Sequence, residues 1–170
     1  MASSESSKDD IFQPGGQLHR EYLSESAARV LREALRLAHE THWDSLRSPH
    51  VFMGLLAQPD PGVRTWGQRL GADLSKLLNQ FQELFHQEDG DSKAVLALNR
   101  EFLSDNVIHL LREAHLRALE HGRNFITPMD LLISLLTASK SIVAECFERI
   151  GFTAAKLTEF AVQAEQQTEG

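Results

Sequence analysis

The chain writes one pattern twice. Shifted by 80 positions it aligns with itself without a gap from Tyr22 to about Leu77. Leu23-Ser24 falls on Leu103-Ser104, and Leu31-Arg32-Glu33-Ala34 on Leu111-Arg112-Glu113-Ala114. Leu55-Leu56 falls on Leu135-Leu136, Gly71 on Gly151, and Lys76-Leu77 on Lys156-Leu157. Two amphipathic stretches can share an apolar rhythm by chance. Polar identities, loop lengths and a closing glycine held at one constant offset require duplication, and a duplicated unit must bury its apolar face against its own copy.

Each unit reads as helices, with no stretch alternating as a strand would. Ser24 is a natural N-cap, and Ala27, Val30, Leu31, Ala34 and Ala38 after it form one apolar stripe that should run out near His42. Ser48 reads as the cap of a second helix, with Pro49 at its first position. A third helix spans about Gly62 to Leu70 and stops at Gly71, and Asp73 caps a fourth that reaches about Gln87. In the second unit Ser104 caps a helix carrying Val107, Leu110, Leu111, Ala114 and Ala118. Thr127 and Asp130 form a capping box around Pro128, Gly151 closes the next helix, and Thr153 opens the last. The second helix of each unit is apolar nearly all round: Val51, Phe52, Met53, Leu55 and Leu56, then Leu131, Leu132, Ile133, Leu135 and Leu136. These should be the most buried elements.

The expectation is an all-α fold of eight helices, two tandem four-helix repeats with pseudo-two-fold symmetry. Repeat one covers 22–87 and repeat two 102–163, joined by a charged linker over 88–101. A disordered arm over 1–21 and a polar tail over 164–170 flank them.

Charge and cysteine usage remove several classes. A formal net charge of −7 argues against nucleic-acid binding, which needs clustered Lys and Arg. The single cysteine, Cys146, excludes an intramolecular disulfide and fits a reducing compartment. The start MASSESSKDD has no apolar core of a signal peptide, and no segment approaches the ~20 apolar residues that span a bilayer. A soluble cytoplasmic protein is expected. No G-x-x-x-x-G-K-[ST] occurs, so ATP binding by that loop is not expected.

Eight histidines raise a metal question. His39 and His42 stand at i, i+3 with His50 a loop away, whereas zinc proteases need H-E-x-x-H with i, i+4 spacing. Surface or capping histidines are the plainer account. A small metal-dependent hydrolase on His39, His42 and His50 is kept as an alternative of a different class. Cys146 and its repeat partner Trp66 both read as core, although an indole N–H needs a partner and partial exposure would supply one. The repeated Leu-Arg-Glu-Ala reads first as a solvated face with Arg29–Glu33-type pairing, and second as an Arg32 and Arg112 pair facing a peptide's carboxylates.

The pattern S-x-x-A-x-x-V-L-x-x-A, then x-[ST]-x-H-[VL]-[FL]-x-G-L-L, then a closing x-x-x-L-G, resembles the Clp amino-terminal domain, the double-repeat module of Clp/Hsp100 unfoldases. The resemblance covers 22 to about 163. It implies a non-catalytic module, without cofactor or metal, that docks substrates or adaptor proteins for an unfoldase or protease. An alternative is a stand-alone regulatory protein that binds the Clp protease core. Many relatives carry a ligand-contacting Glu at the second-helix start, where this chain has Pro49 and Met129. That departure weakens the expectation of phosphorylated-arginine recognition and points to a more apolar contact. Disaggregase-type relatives use an apolar groove near the second repeat's first helix. Leu111 is kept there, but Glu113 and Asp130 are polar. The residues expected to meet a protein or peptide partner are Ser24, Arg32, Pro49 and His50 in one half, and Ser104, Leu111, Arg112, Met129 and Asp130 in the other.

Overall fold

The computed structural model describes residues 11–87, 96–138 and 141–169. Eight α-helices follow in chain order: α1 (Glu25–Glu40), α2 (Ser48–Ala57), α3 (Pro61–Leu70), α4 (Leu74–Leu84), α5 (Asp105–Glu120), α6 (Pro128–Thr137), α7 (Ile142–Glu148) and α8 (Ala154–Glu169). Among the described residues there is no strand, only isolated bridges. The all-α, two-repeat architecture is therefore the one the duplication implies.

The caps show why these segments are helical. Ser24 Oγ accepts from the Ala27 amide at 3.0 Å and Ser104 Oγ from that of Val107 at 3.3 Å. Asp60 and Asp73 cap α3 and α4, and Gly71 ends α3 at φ 69°. One start differs from expectation. The N-cap of α2 is Arg47, so Ser48 is the first helical residue and Pro49 the second. The Arg47 amide donates to His50 Nδ1 at 3.0 Å, so the third helical residue closes the helix start from inside. In the second repeat Thr127 and Asp130 form the expected box, with Asp130 N to Thr127 Oγ1 at 3.2 Å and Thr127 N to Asp130 Oδ2 at 2.9 Å.

The repeats are tied crosswise. Leu23 bridges Ile126, and Leu46 bridges Leu103, so each unit's entry segment pairs with the loop before the other unit's core helix. The backbone bonds are matched pairs: Ser24 N to Ile126 O at 2.9 Å answers Ser104 N to Leu46 O at 3.0 Å, and Ile126 N to Tyr22 O answers Leu46 N to Phe102 O, both at 2.7 Å. An exchange of this kind is what a pseudo-two-fold axis requires.

Helices α2 and α6 are buried along nearly their whole length and touch each other at the centre. Around them Phe52, Trp66 and Phe147 meet edge to face with centroids 5.8–6.0 Å apart, the favoured arrangement of aromatic quadrupoles. Trp66 is fully buried, and its indole N–H reaches the Leu157 carbonyl of the other repeat at 3.1 Å. Partial exposure is thus unnecessary.

Both flanks depart from expectation. Within the expected arm, residues 11–21 are folded: Ile11, Phe12 and Leu18 are buried, Leu18 N donates to Leu98 O at 2.9 Å and Arg100 N to Gly16 O at 2.8 Å. Three apolar side chains pinned to the second repeat's entry outweigh the polar residues between them. The rest of that arm, 1–10, lies outside the described residues, as does the linker over 88–95. The expected polar tail is the last part of α8, with Ala164 and Glu165 buried.

Candidate functional site

The two repeats differ where their first and second helices cross. In repeat one that crossing holds Gly54, where a Cβ would collide with the Val30 carbonyl oxygen and lie 3.2 Å from the Ala34 Cβ. Only glycine lets α1 close so tightly on α2. The equivalent position in repeat two is Ser134, and α5 sits less closely on α6. A groove of about 590 Å³ opens there, walled by α5, the end of α6 and the start of α7, with Ser48 contributed by repeat one. Leu110, Leu116, Ile133 and Ile142 supply its apolar surface, while Asn106, His109 and Glu113 supply polar groups. Leu116 and Ile142 are 50% and 41% exposed, so apolar surface is left open to solvent.

A smaller cavity of about 90 Å³ adjoins it, sharing Ser48, Asn106 and Ile142 with the groove. Trp43, Phe85 and Pro49 wall it, and Arg47, His50 and Ser104 complete it. The first turns of α2 and α5 converge here, each presenting the positive end of its dipole. His50 is fully buried with the Trp43 ring edge-on at 5.3 Å, and burial, with the Arg47 charge behind it, pulls its pKa down from 6.5 to about 4. The imidazole is neutral at pH 7. With Nδ1 accepting from Arg47, the proton sits on Nε2, which has no hydrogen-bond partner among the described residues.

The equivalent place in repeat two is filled differently. Asp130, fully buried, accepts from Arg117 Nη1 and Arg123 Nη2, both at 2.7 Å. Arg117 also forks onto Glu165, at 2.8 Å to Oε2 and 2.7 Å to Oε1. Burial by itself would lower the Arg117 pKa, but the hydrogen bonds and charges of Glu165 and Asp130 outweigh it and hold the guanidinium above its usual value. Two cations meet two carboxylates, so the cluster is neutral. Counting back 80 positions, the corresponding residues of repeat one are Leu37, Trp43, His50 and Phe85. One repeat is ionic where the other is aromatic.

Of the residues expected from sequence, Pro49, His50 and Ser104 come together at the small cavity. Ser24 serves as a cap, Arg32 is exposed on α1, and the Arg112 guanidinium lies 5.9 Å over the Phe12 ring. The other three are buried. Leu111 is in the core, Met129 is covered by α3 with its Sδ only 2.6 Å from where a Gly62 Cβ would be, and Asp130 is held in the ion cluster. Their side chains have no surface to offer a partner. The Arg29–Glu33 pairing gives way to Arg36 bridging Glu33 and Glu40. Sequence reasoning missed Ile142, Leu116 and Ser134. The Gly54-to-Ser134 change, between apolar neighbours in both helices, was the available signal.

The histidine cluster does not assemble. His39 is exposed at the end of α1, and His42 turns the chain at φ 68° with Nδ1 2.9 Å from the Gln87 carbonyl oxygen. His42 stands where repeat two has Gly122 at φ 76°, so its place is a helix end. Among the described residues no three His, Cys, Asp or Glu side chains gather as metal ligands. Cys146 is half-buried, and burial pushes its thiol up, opposite to the shift that activates a nucleophile. Among the described residues no helix is long and apolar enough to cross a membrane.

These features define a duplicated all-α domain with an open interhelical groove. The family model described as the Clp repeat (R) N-terminal domain matches residues 22–104 and again 102–169. The chain belongs to that family. Its fold is similar to the N-terminal domain of the caseinolytic protease associated chaperone ClpD from Arabidopsis thaliana, at 20% identity and a TM-score of 0.66 over 91% of this chain and 99% of that one. It is similar also to the Hsp104 N-terminal domain from Candida albicans, at 13% identity and a TM-score of 0.67 over 84% and 91%. A third solved structure, described as "Peptide from EAEC T6SS Sci1 SciI protein", matches at 16% identity and a TM-score of 0.63 over 86% and 90%. At these identities the likeness is one of fold. No curated protein matches the sequence significantly.

Proposed function

We propose that this domain binds protein segments without turning them over, docking substrates or adaptors for a Clp/Hsp100-type unfoldase or protease. The observation that carries the reading is the open groove beside α5, with exposed Leu116 and Ile142 on its walls and polar groups between them. Its size and mixed lining suit a peptide with a few apolar anchors and backbone groups left to satisfy. Membership of the Clp repeat family supports the same reading, since Clp N-terminal domains are protein-interaction modules. The SciI peptide of the third structural neighbour is a protein segment of the kind such a groove would take.

The test uses a fluorescein-labelled, permanently unfolded polypeptide, reduced and carboxymethylated α-lactalbumin, read by anisotropy. Leu116→Asp and Ile142→Asp should each weaken binding about tenfold or more, as anchor losses do. Leu84→Asp, more exposed than either but outside the groove, should leave it unchanged. Equal effects of all three, or none, would overturn the groove assignment. Capture of a Clp protease barrel, with no affinity for unfolded chains, would instead favour a regulatory protein seated on the protease core.

A further inference from the structure

The floor of the groove holds a polar atom that the fold leaves unused. Ser134 is only 7% exposed and lines the groove beside Leu110, Ile133 and Leu135. A hydroxyl within a helix can satisfy itself on the carbonyl four residues earlier, and Thr65, Thr137 and Thr158 do so at 2.8–2.9 Å. The Ser134 hydroxyl makes no such bond and has no other hydrogen-bond partner among the described residues. Unlike His50 Nε2, it is not sealed from solvent, because it borders the groove. Repeat one carries Gly54 at this position, so the hydroxyl is particular to the side of the domain where the groove lies. Two more polar groups stand on the same walls. Asn106 is exposed and can both donate and accept, and Ser141 Oγ, which accepts from the Ala144 amide at 3.2 Å, keeps its proton to donate.

We propose that the groove takes its segment in extended form, with Ser134 Oγ hydrogen-bonded to the backbone of that segment. The inference rests on the groove reading above. A docked helix satisfies its own N–H and C=O groups and turns side chains outward, so its apolar face would cover the Ser134 hydroxyl and leave it without a partner. An extended chain instead carries N–H and C=O groups that need partners, and a hydroxyl can donate to one or accept from the other. Its alternate side chains fall on one side, which lets apolar residues two positions apart reach the Leu116 and Ile142 walls. Asn106 and Leu116 stand ten positions apart on α5, about 15 Å of helix, and about five residues of extended chain span that length. The partner is thus a locally unfolded stretch with alternating apolar side chains, and not the helical face of a folded protein.

The test uses N-acetylated, C-amidated dodecapeptides that tile the α-lactalbumin sequence in an array, the tightest binder then being measured in solution by anisotropy. That peptide is compared with two kinds of derivative. In the first, one amide at a time becomes an ester, which removes an N–H and weakens the adjoining carbonyl as an acceptor while leaving every side chain in place. In the second, α-aminoisobutyrate at two positions that an alanine scan finds neutral holds the peptide helical. The proposal expects the helical form to bind about tenfold less tightly, and one ester position to cost about tenfold. In Ser134→Ala that ester should cost little, because the bond it removes is already gone. A urea midpoint checks that Ser134→Ala leaves the fold intact. A helical form that binds as tightly as the parent peptide would overturn extended docking. Ester losses of equal size in the parent domain and in Ser134→Ala would overturn the Ser134 bond, and the groove would stand if Leu116→Asp still weakened binding. An array without one peptide sensitive to Leu116→Asp would sink the groove reading and this inference together.

Discussion

His50 and Asp130 occupy the same helical position in the two repeats, and each closes its own helix start by accepting a backbone amide. Arg47 N lies 3.0 Å from His50 Nδ1, and Thr127 N lies 2.9 Å from Asp130 Oδ2. The duplication kept the cap and changed everything around it. A neutral imidazole sits among Trp43 and Phe85 in one repeat, while a carboxylate sits between two guanidinium groups in the other.

The ionic set should behave as a unit. Asp130→Ala strips both arginines of a partner while leaving them buried, and should cost about 3–5 kcal/mol in urea unfolding. Exchanging the whole set for its repeat-one counterparts (Arg117→Leu, Arg123→Trp, Asp130→His, Glu165→Phe) should cost less than the single change, because no uncompensated charge remains. A quadruple variant less stable than Asp130→Ala would show that packing, not charge, fixes this corner.

The buried histidine predicts an acid-side loss of stability. Its folded pKa of about 4 lies below the unfolded value of 6.5, so between those limits the unfolded chain holds a proton that the folded chain does not. The stabilisation is complete above pH 6.5 and drains away as the pH falls to about 4. Over that window the stability lost amounts to about 3 kcal/mol. His115, also lowered by burial, adds a share of the same sign. Urea midpoints at pH 7, 5.5 and 4.5 should fall less steeply for His50→Gln than for the parent chain. Parallel curves would place the titrating group elsewhere.

The two-fold architecture was legible because duplication preserved polar landmarks such as Ser24 and Ser104, and the core helices because α2 and α6 are apolar on every face. The start of α2 was misread because Ser48-Pro49 imitates Thr127-Pro128 while standing one position out of register; the true counterpart of Thr127 is Arg47. Glu165 was hidden in a stretch whose composition resembles a solvated tail. Its burial depends on Arg117, 48 positions away, and no local pattern signals that. The groove was illegible for a similar reason, since it lies at a crossing of two helices whose spacing no local pattern signals.

The folded flank makes a simpler prediction. Ile11 is fully buried and Phe12 nearly so, under the Arg100 and Arg112 guanidinium groups. Ile11→Ala should cost about 2–5 kcal/mol by loss of transfer energy and an unfilled space. A chain begun at Tyr22 should show a comparable drop in thermal midpoint. If both changes leave the midpoint within a degree, the segment is an appendage and not part of the core.

Gly54 supplies the sharpest test of how the groove arises. Its missing Cβ lets α1 lie against α2, with the Val30 carbonyl and Ala34 in the space a side chain would take. Gly54→Ser installs the residue repeat two carries at Ser134. Because the first obstacle is backbone, α1 must move outward, at an expected cost of about 1–3 kcal/mol. The same displacement should open, beside α1, a counterpart of the groove beside α5. The unfolded polypeptide probe should then bind the Gly54→Ser, Leu116→Asp double variant more tightly than Leu116→Asp alone. A loss of stability with no recovered binding would mean that groove width and partner binding have separate origins. An unchanged stability would mean that α1 yields freely and that glycine is not what holds the crossing closed.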